Sequence, residues 1–103
     1  EKFLKLIKGK LYADKGYIYL VNDDYEHALQ CYLTANTIDE SDMLILCNIG
    51  IVYKMLHNFD KAKIYFEKVI QIGSDTYFVN EAHKELDAMK KAGNRFSDLL
   101  NKT

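Results

Sequence analysis

The sequence predicts an all-α fold in which antiparallel helix pairs stack on one another. The chain of 103 residues contains no proline, so only glycine and turn-forming Asn or Asp residues interrupt its helical segments. Two stretches also match each other at one fixed offset, the distance along the chain from Gly16 to Gly50, which we call the repeat step. Periods of about 20 to 50 residues are typical of stacked repeat units. The matching pairs are Gly16 with Gly50, Tyr19 with Tyr53, Tyr25 with Phe59, Ala28 with Ala62, and Tyr32 with Phe66.

The first two helices are predicted on either side of a short polar break. Apolar residues recur at three- and four-residue steps from Phe3 to about Val21. Asn22-Asp23-Asp24 then favours a turn followed by a helix N-cap. We expect the second helix over about Tyr25 to Thr37. Its predicted buried side consists of Ala28, Leu29, Tyr32, Leu33 and Ala35.

The third and fourth helices form the second predicted pair. The third, Met43 to about Leu56, is apolar on most sides, which predicts that other helices flank it on several faces. His57-Asn58 supplies the turn after it. The fourth helix is expected over about Phe59 to Ile72, with Gly73 as its C-cap.

A fifth helix is expected to end the stack. It should run from about Thr76 to Ala92 and close at Gly93-Asn94, because glycine and asparagine commonly end helices. The last stretch, Arg95 to Thr103, keeps apolar residues at helical spacing and is expected to add one or two turns. The apolar face predicted for the fifth helix consists of Val79, Ala82, Leu86 and Met89.

The second of the matching stretches resembles a tetratricopeptide repeat. Leu46-x2-Ile49-Gly50-x2-Tyr53 followed by Ala62-x3-Phe66 fits the pattern W-x2-L-G-x2-Y followed by A-x3-F. The first stretch fits less closely, with Tyr12-x2-Lys15-Gly16-x2-Tyr19 followed by Ala28-x3-Tyr32. The resemblance implies one domain over residues 1–103 that forms a right-handed superhelical stack. Its parts would be a repeat at about 9–42, a repeat at about 43–76, and a capping helix and tail at 77–103.

The chain departs from the repeat pattern at several positions. Lys15 stands where the pattern has an apolar residue, which predicts an exposed edge on the first helix. Glu40 and Ser74 occupy the places of the closing prolines. Lys84 and Asp87 stand where a third repeat would have glycine and tyrosine. The fifth helix is therefore predicted to be a cap with a solvated outer face, as the ends of solenoids require.

The small residues of the pattern are expected to set how closely the helices pack. Gly16 with Ala28, and Gly50 with Ala62, would let the two helices of a pair approach each other. The aromatic residues of the pattern then fill the space between helices, with large buried areas. These aromatic residues are Tyr19, Tyr32, Tyr53 and Phe66.

The resemblance also implies where a partner binds. In tetratricopeptide arrays the first helix of each repeat lines a concave face that commonly holds an extended peptide or a helix. The alternative is that Tyr17, Ile51 and Phe78 simply pack on neighbouring helices. A clamp for a C-terminal carboxylate, known in one subgroup of the family, is not expected, because only Asn48 matches it. Carried onto this sequence, the groove residues are Ala13, Tyr17, Leu20, Cys47, Asn48, Ile51, Lys54, Phe78, Glu81 and Glu85.

Composition narrows the classes of function. The chain has 14 Lys plus Arg against 15 Asp plus Glu, and no run of like charges exceeds two residues. We therefore expect no nucleic-acid partner. Cys31 and Cys47 lie inside predicted helices, which favours reduced thiols and a cytoplasmic location. No apolar stretch reaches the roughly 18 residues that would span a membrane. The chain begins at Glu1 rather than Met, which suggests a segment without its native N-terminus.

No motif for catalysis, a metal or a cofactor is present. His27, His57 and His83 are far apart in sequence and have no metal-like spacing to Cys or carboxylate residues. No nucleophile elbow or phosphate loop occurs either. We expect a non-enzymatic, protein-protein interaction module without cofactor that binds a peptide or helix of a partner protein in its concave groove.

The sequence is also compatible with two other functions. One is the peptide-sensing part of a longer regulatory protein. The other is a self-assembly segment that forms a homo-oligomer through exposed apolar residues near both ends of the chain. Those residues are Phe3, Leu4, Ile7, Phe96, Leu99 and Leu100.

Overall fold

Five α-helices make up the chain in the computed structural model, which describes residues 1–102. No strand occurs within this described part. The helices pair in sequence order, α1 with α2 and α3 with α4, and α5 packs on the second pair. This confirms the predicted all-α stack. The helices are α1 (Lys2–Val21), α2 (Tyr25–Ile38), α3 (Met43–Met55), α4 (Phe59–Ile72) and α5 (Thr76–Asn101).

The two turns within the helix pairs have the same construction. Asp23 and His57, which are one repeat step apart, both adopt a left-handed backbone with φ of 60°. Polar residues are tolerated in this region better than branched or bulky ones. The following residues, Asp24 and Asn58, cap the next helix by accepting a backbone N–H with their side-chain oxygens. The repeat is therefore visible in the backbone as well as in the residue types.

The C-terminal helix differs from its prediction. Gly93 and Asn94 do not close it, and α5 continues to Asn101 as one helix of 26 residues. A Cβ placed on Gly93 would meet no atom within 4 Å, so the position makes no structural demand for glycine. The apolar residues beyond it continue the helical period, and this outweighs the modest helix penalty of one glycine. Thr103, the end of the predicted tail, lies outside the described residues.

The core lies between the two helix pairs and centres on α3. Eight of the thirteen residues of α3 are buried, which confirms that other helices flank it on several faces. Tyr32 and Phe66 are fully buried and Tyr53 is nearly so, whereas Tyr19 is half-buried. Lys15 is exposed, as the departure from the repeat pattern predicts. The core therefore follows the repeat pattern most closely in the second pair.

The glycines of the repeat pattern face aromatic rings. A Cβ on Gly50 would lie 2.7 Å from Cε1 of Phe66, and one on Gly16 would lie 3.2 Å from the ring of Tyr32. The sequence predicted Ala28 and Ala62 as the partners of these glycines, but the nearest atoms belong to the aromatic residues four positions further along. Small residues do set the approach of the helices, with a ring rather than a methyl group against them.

Candidate functional site

Two neighbouring cavities lie along the side of the stack formed by α1, α3 and α5. The first, here the α1–α3 cavity, has a volume of about 240 Å³ and lies between α1 and the start of α3. The second, the α3–α5 cavity, has a volume of about 150 Å³ and lies between α3 and α5. Leu44 lines both cavities and is half exposed, at 50%. Its side chain therefore joins them into one continuous surface.

Most of the predicted groove residues meet in the α3–α5 cavity. Ala13 lines the α1–α3 cavity instead. Lys54 reaches the edge of the groove, where its Nζ lies 2.6 Å from Oε2 of Glu85. The six that line the α3–α5 cavity are Cys47, Asn48, Ile51, Phe78, Glu81 and Glu85.

The two remaining predicted residues of α1 line neither cavity. Tyr17 is 57% exposed, and Leu20 is half-buried against the core. Ala13, Ile51 and Phe78 also pack partly against the core. The alternative that these residues simply pack on neighbouring helices therefore holds in part for Ile51 and Phe78. Both pack partly against the core, and both also line the α3–α5 cavity. This alternative does not describe Tyr17, whose side chain is mostly in solvent.

Several residues of the cavities were not foreseen, among them Asp14, Leu44 and Tyr77. The repeat spacing could have found two of them. Leu44 lies one repeat step before Phe78, and Asp14 lies one repeat step before Asn48, so each is the counterpart of a residue already predicted. Tyr77 has no such counterpart among the predicted residues. It enters the cavity because α5 begins beside the start of α3.

A hydrogen bond links the groove to the core below it. Nδ2 of Asn48 donates to the hydroxyl of Tyr32 at 3.3 Å, so the one polar atom of a fully buried tyrosine has a partner. Burial raises the pKa of Tyr32 to about 12, and the nearby Tyr17 acts in the same direction. The phenol is therefore neutral at ordinary pH. The hydrogen bond connects Asn48, which lines the α3–α5 cavity, to this buried ring.

The thiol of Cys47 lies at the floor of the α3–α5 cavity and is also neutral. Burial raises its pKa to about 11, and the negative charges of Glu81 and Glu85 act in the same direction. Its Sγ lies 3.9 Å from the carbonyl oxygen of Phe78. A thiol that keeps its proton at neutral pH is a poor nucleophile, so Cys47 packs rather than reacts.

Carboxylates outnumber lysines among the side chains that line the two cavities, and two of these carboxylates, Glu81 and Glu85, form ion pairs with Lys84 and Lys54. Among the described residues, Lys10 is the single lysine that lines either cavity. The acidic side chains that line them are Asp14, Asp39, Asp42, Glu81 and Glu85. Asp42 and Asp39 also accept local hydrogen bonds at the turn before α3. A surface with apolar centres and acidic edges suits a ligand that carries both apolar and cationic groups.

Residues 1–102 contain no helix long and apolar enough to cross a membrane. In the same range, no three His, Cys, Asp or Glu side chains group in a way that could hold a metal ion.

The chain consists of antiparallel helix pairs stacked side by side, with two cavities along one side of the stack. This is the arrangement of a helical-repeat protein. Comparison with protein-family models matches the tetratricopeptide repeat at residues 9–42 and 45–75, which is more than half of the chain. The chain therefore belongs to the tetratricopeptide-repeat family, and two repeats followed by a fifth helix confirm the resemblance. Repeats of this family are in general protein-protein interaction modules. A search of curated proteins finds no match to the chain.

Proposed function

We propose that the chain binds an amphipathic, cationic segment of a partner protein across the α1–α3 and α3–α5 cavities. The observation that carries this proposal is the continuous surface around Leu44, with apolar residues at its centre and acidic residues along it. Burial of apolar side chains would supply most of the affinity, and the acids would select cationic partners and speed their encounter.

A binding role fits the chemistry of the groove better than catalysis, and we propose that the chain is not an enzyme. The one thiol in the groove, that of Cys47, holds its proton, and the hydroxyl of Tyr32 is buried.

We further propose a cytoplasmic location, because Cys31 and Cys47 are both free thiols. A peptide-sensing role within a longer regulator would use the same groove.

The groove is tested by selecting peptides on the whole chain from a phage-displayed library of random dodecapeptides. We expect the selected peptides to be rich in Lys, Arg and large apolar residues and poor in Asp and Glu. In fluorescence titrations, Ile51→Arg should weaken their binding at least about tenfold, since it places a charge at the centre of the groove. Glu81→Lys should weaken it as well and leaves the apolar contacts in place.

The matched control is Ile64→Arg. Ile64 is a half-exposed isoleucine of α4 that lines neither cavity, so this variant makes the same chemical change elsewhere. Circular dichroism verifies that all three variants keep their helicity. Peptides that bind Ile51→Arg and Glu81→Lys as tightly as the unchanged chain would exclude the groove as the binding site.

Self-assembly is the second candidate function. An apolar cavity of about 490 Å³ lies between Phe59 and the C-terminal half of α5, where it is lined by Met89 and Phe96. Phe96 is exposed and Phe59 half-exposed, so apolar surface is available for a second copy at this end. The molar mass of the chain measured in solution distinguishes a monomer from a dimer.

A further inference from the structure

The outer face of α1 carries an apolar stripe whose large apolar residues line neither cavity of the groove. Six residues of α1 follow one another at steps of three, four, three, four and three residues. Five are large and apolar, and these five are 44% to 67% exposed. The sixth, Asp14, is exposed as well. We call this set the outer stripe of α1: Leu4, Ile7, Leu11, Asp14, Ile18 and Val21.

The outer stripe lies opposite the face by which α1 packs on the rest of the molecule. That packed face is marked by Gly9, buried against Ile38, and Gly16, buried against Tyr32. Leu11 and Ile18 each follow one of these glycines by two residues, which is about 200° around an α-helix. A helix with apolar residues on two opposite faces is typical of a helix flanked on both sides. In this structure α1 is flanked on one.

The spacing of the outer stripe indicates what would flank it. Alternating steps of three and four residues form the seam by which one helix packs along another in a coiled coil. The stripe extends over residues 4–21, which is about 27 Å of helix axis. An extended peptide has no matching period on its own side. The occupant that fits this seam is a helix.

The charges beside the stripe indicate which helix. Lys8 and Lys15 flank it on one side and Lys10 on the other, and all three are exposed. None of them takes part in an ion pair within residues 1–102. A second copy of α1 would bring these lysines against one another, and like charges at flanking positions oppose pairing. A partner helix with Glu or Asp at its flanking positions would pair with them.

Asp14 favours a helix over a membrane surface as the partner of the outer stripe. A basic helix with an apolar stripe can also lie on an anionic lipid surface. That position would place the carboxylate of Asp14 among acyl chains, where charged groups are costly. In a helix pair, a single polar residue within the seam can meet a polar residue of the partner and fix the register.

We propose that the outer stripe of α1 is a docking surface for an acidic amphipathic helix of a partner protein. None of the five apolar residues of this surface lines the α1–α3 or the α3–α5 cavity, whereas Asp14 and the flanking Lys10 also line the α1–α3 cavity, so the two surfaces adjoin there. The module would then hold two partner segments at once, a cationic one in the groove and an acidic helix on α1.

The test uses two synthetic helices of three heptads. Both carry Ile and Leu at the seam positions and Asn at one central seam position, which can meet Asp14. One has Glu at all flanking positions and the other has Lys, so neither pairs with itself. In fluorescence titrations at low salt we expect the glutamate helix to bind the chain at least about tenfold more tightly than the lysine helix. The difference should shrink at 0.5 M salt, because screening weakens exposed ion pairs.

Charge reversal on α1 provides the decisive comparison. The double variant Lys8→Glu with Lys15→Glu should prefer the lysine helix. The control, Lys90→Glu with Lys91→Glu, makes the same change in net charge on lysines of α5 and should keep the preference for glutamate. Leu11→Glu should abolish binding of the glutamate helix and leave binding of the groove-selected peptides unchanged.

Four outcomes would overturn the proposal. The first is equal binding of both helices, and the second is no binding of the glutamate helix up to 100 µM. The third is association of the chain with phosphatidylcholine-phosphatidylserine vesicles that Leu11→Glu abolishes, which would make the stripe a lipid-binding surface. The fourth is a dimer that Leu11→Glu dissociates, which would make the occupant a second copy.

Discussion

At the scale of single residues, the contact between Gly50 and Phe66 sets the distance between α3 and α4. The ring of Phe66 is almost fully buried, and three of its carbons would lie within 3.0 Å of a Cβ on Gly50. Real side chains do not approach this closely, so the pair packs only because position 50 has no side chain. Gly16 and Tyr32 repeat the arrangement with slightly more room, at 3.2 Å.

We therefore predict that Gly50→Ala destabilises the fold. The added methyl group overlaps an aromatic ring that the core holds in place, and overpacking of this kind costs about 1–3 kcal/mol. Urea unfolding followed by circular dichroism measures the change. The control is Gly93→Ala in α5, where a Cβ meets nothing within 4 Å. That variant should leave the free energy of unfolding unchanged or raise it by up to about 1 kcal/mol.

An equal free energy of unfolding for Gly50→Ala and the unchanged chain would contradict this account of the helix contact.

The contact between Gly50 and Phe66 also shows what a repeat pattern cannot predict. The pattern identifies positions 50 and 62 as small and 66 as aromatic, and all three proved to be core positions. It does not say which of them face each other, because that depends on the rotation of each helix about its own axis.

At the scale of helices, α3 is the element on which the others depend. It packs against α2, α4 and α5, and its first turn is capped by Asp42, whose side chain accepts from the backbone N–H groups of Leu44 and Ile45 at 3.0 and 3.2 Å. These N–H groups have no partner within the helix itself. The start of α3, which lines both cavities, is thus held by one carboxylate.

We predict that Asp42→Ala lowers the free energy of unfolding by about 1 kcal/mol, because it removes the N-cap of α3. Thermal unfolding measures the effect. Asp42→Asn removes the same charge but keeps an oxygen that can accept both N–H groups, so it should retain most of the stability. If Asn and Ala lower the melting temperature equally, the effect comes from the lost charge rather than from the cap.

The helix boundaries show where local signals suffice and where they do not. Polar breaks at 22–24 and 57–58 coincide with real turns, and Gly73 ends α4 with φ of 63°, as a C-cap glycine does. Gly93-Asn94 looks similar in sequence but lies within α5. The difference is that Gly73 is followed by Asp75, whose side chain accepts from the backbone N–H of Tyr77 and caps α5, whereas α5 continues through Gly93 to Asn101. A glycine is a stronger helix-end signal where a capping residue for the next helix follows it.

At the scale of the whole molecule, the chain is elongated. Its Cα radius of gyration is 15.2 Å and its extents are 59 × 29 × 17 Å, against about 13 Å expected for a compact domain of this size. The length comes from α1 and α5, which have 20 and 26 residues beside partners of 13 or 14. The exposed apolar residues of these helices are therefore spread over distant parts of the surface.

We predict that the chain is an elongated monomer in solution. The lysines beside the outer stripe of α1 oppose pairing of two copies there, and the other exposed apolar residues of the described part are distributed over α1, α3, α4 and α5. Sedimentation velocity from 5 to 200 µM should give a constant mass near 12.0 kDa and a frictional ratio above that of a compact sphere. A mass that rises toward twice this value would favour self-assembly as the function.

The candidate groove was predictable where helices have neighbours on both sides. The repeat step assigned residues of α3 and α5 that do meet in one cavity, because α4 fixes the rotation of both helices. The same step placed Tyr17 and Leu20 of α1 in the groove, where neither lines a cavity. The register is repeated there, but α1 packs against neighbouring helices on one side. Sequence spacing gives the position of a residue on its helix. Whether that residue lines a cavity depends on which helices pack beside it.

The ion pair between Lys54 and Glu85 has a consequence for any ligand of the groove. Lys54 Nζ already pairs with the carboxylate that a ligand's ammonium group would bind, at 2.6 Å and partly shielded from water. In the proposed binding mode, Lys54 would therefore compete with the cationic group of the ligand for Glu85. A cationic ligand of the proposed kind would gain only the difference between two ion pairs at Glu85, the one it forms and the one it replaces. A ligand with an arginine at this position would be favoured over one with a lysine, because the forked guanidinium can bind the Glu85 carboxylate through two N–H groups and so displace the Lys54 ammonium.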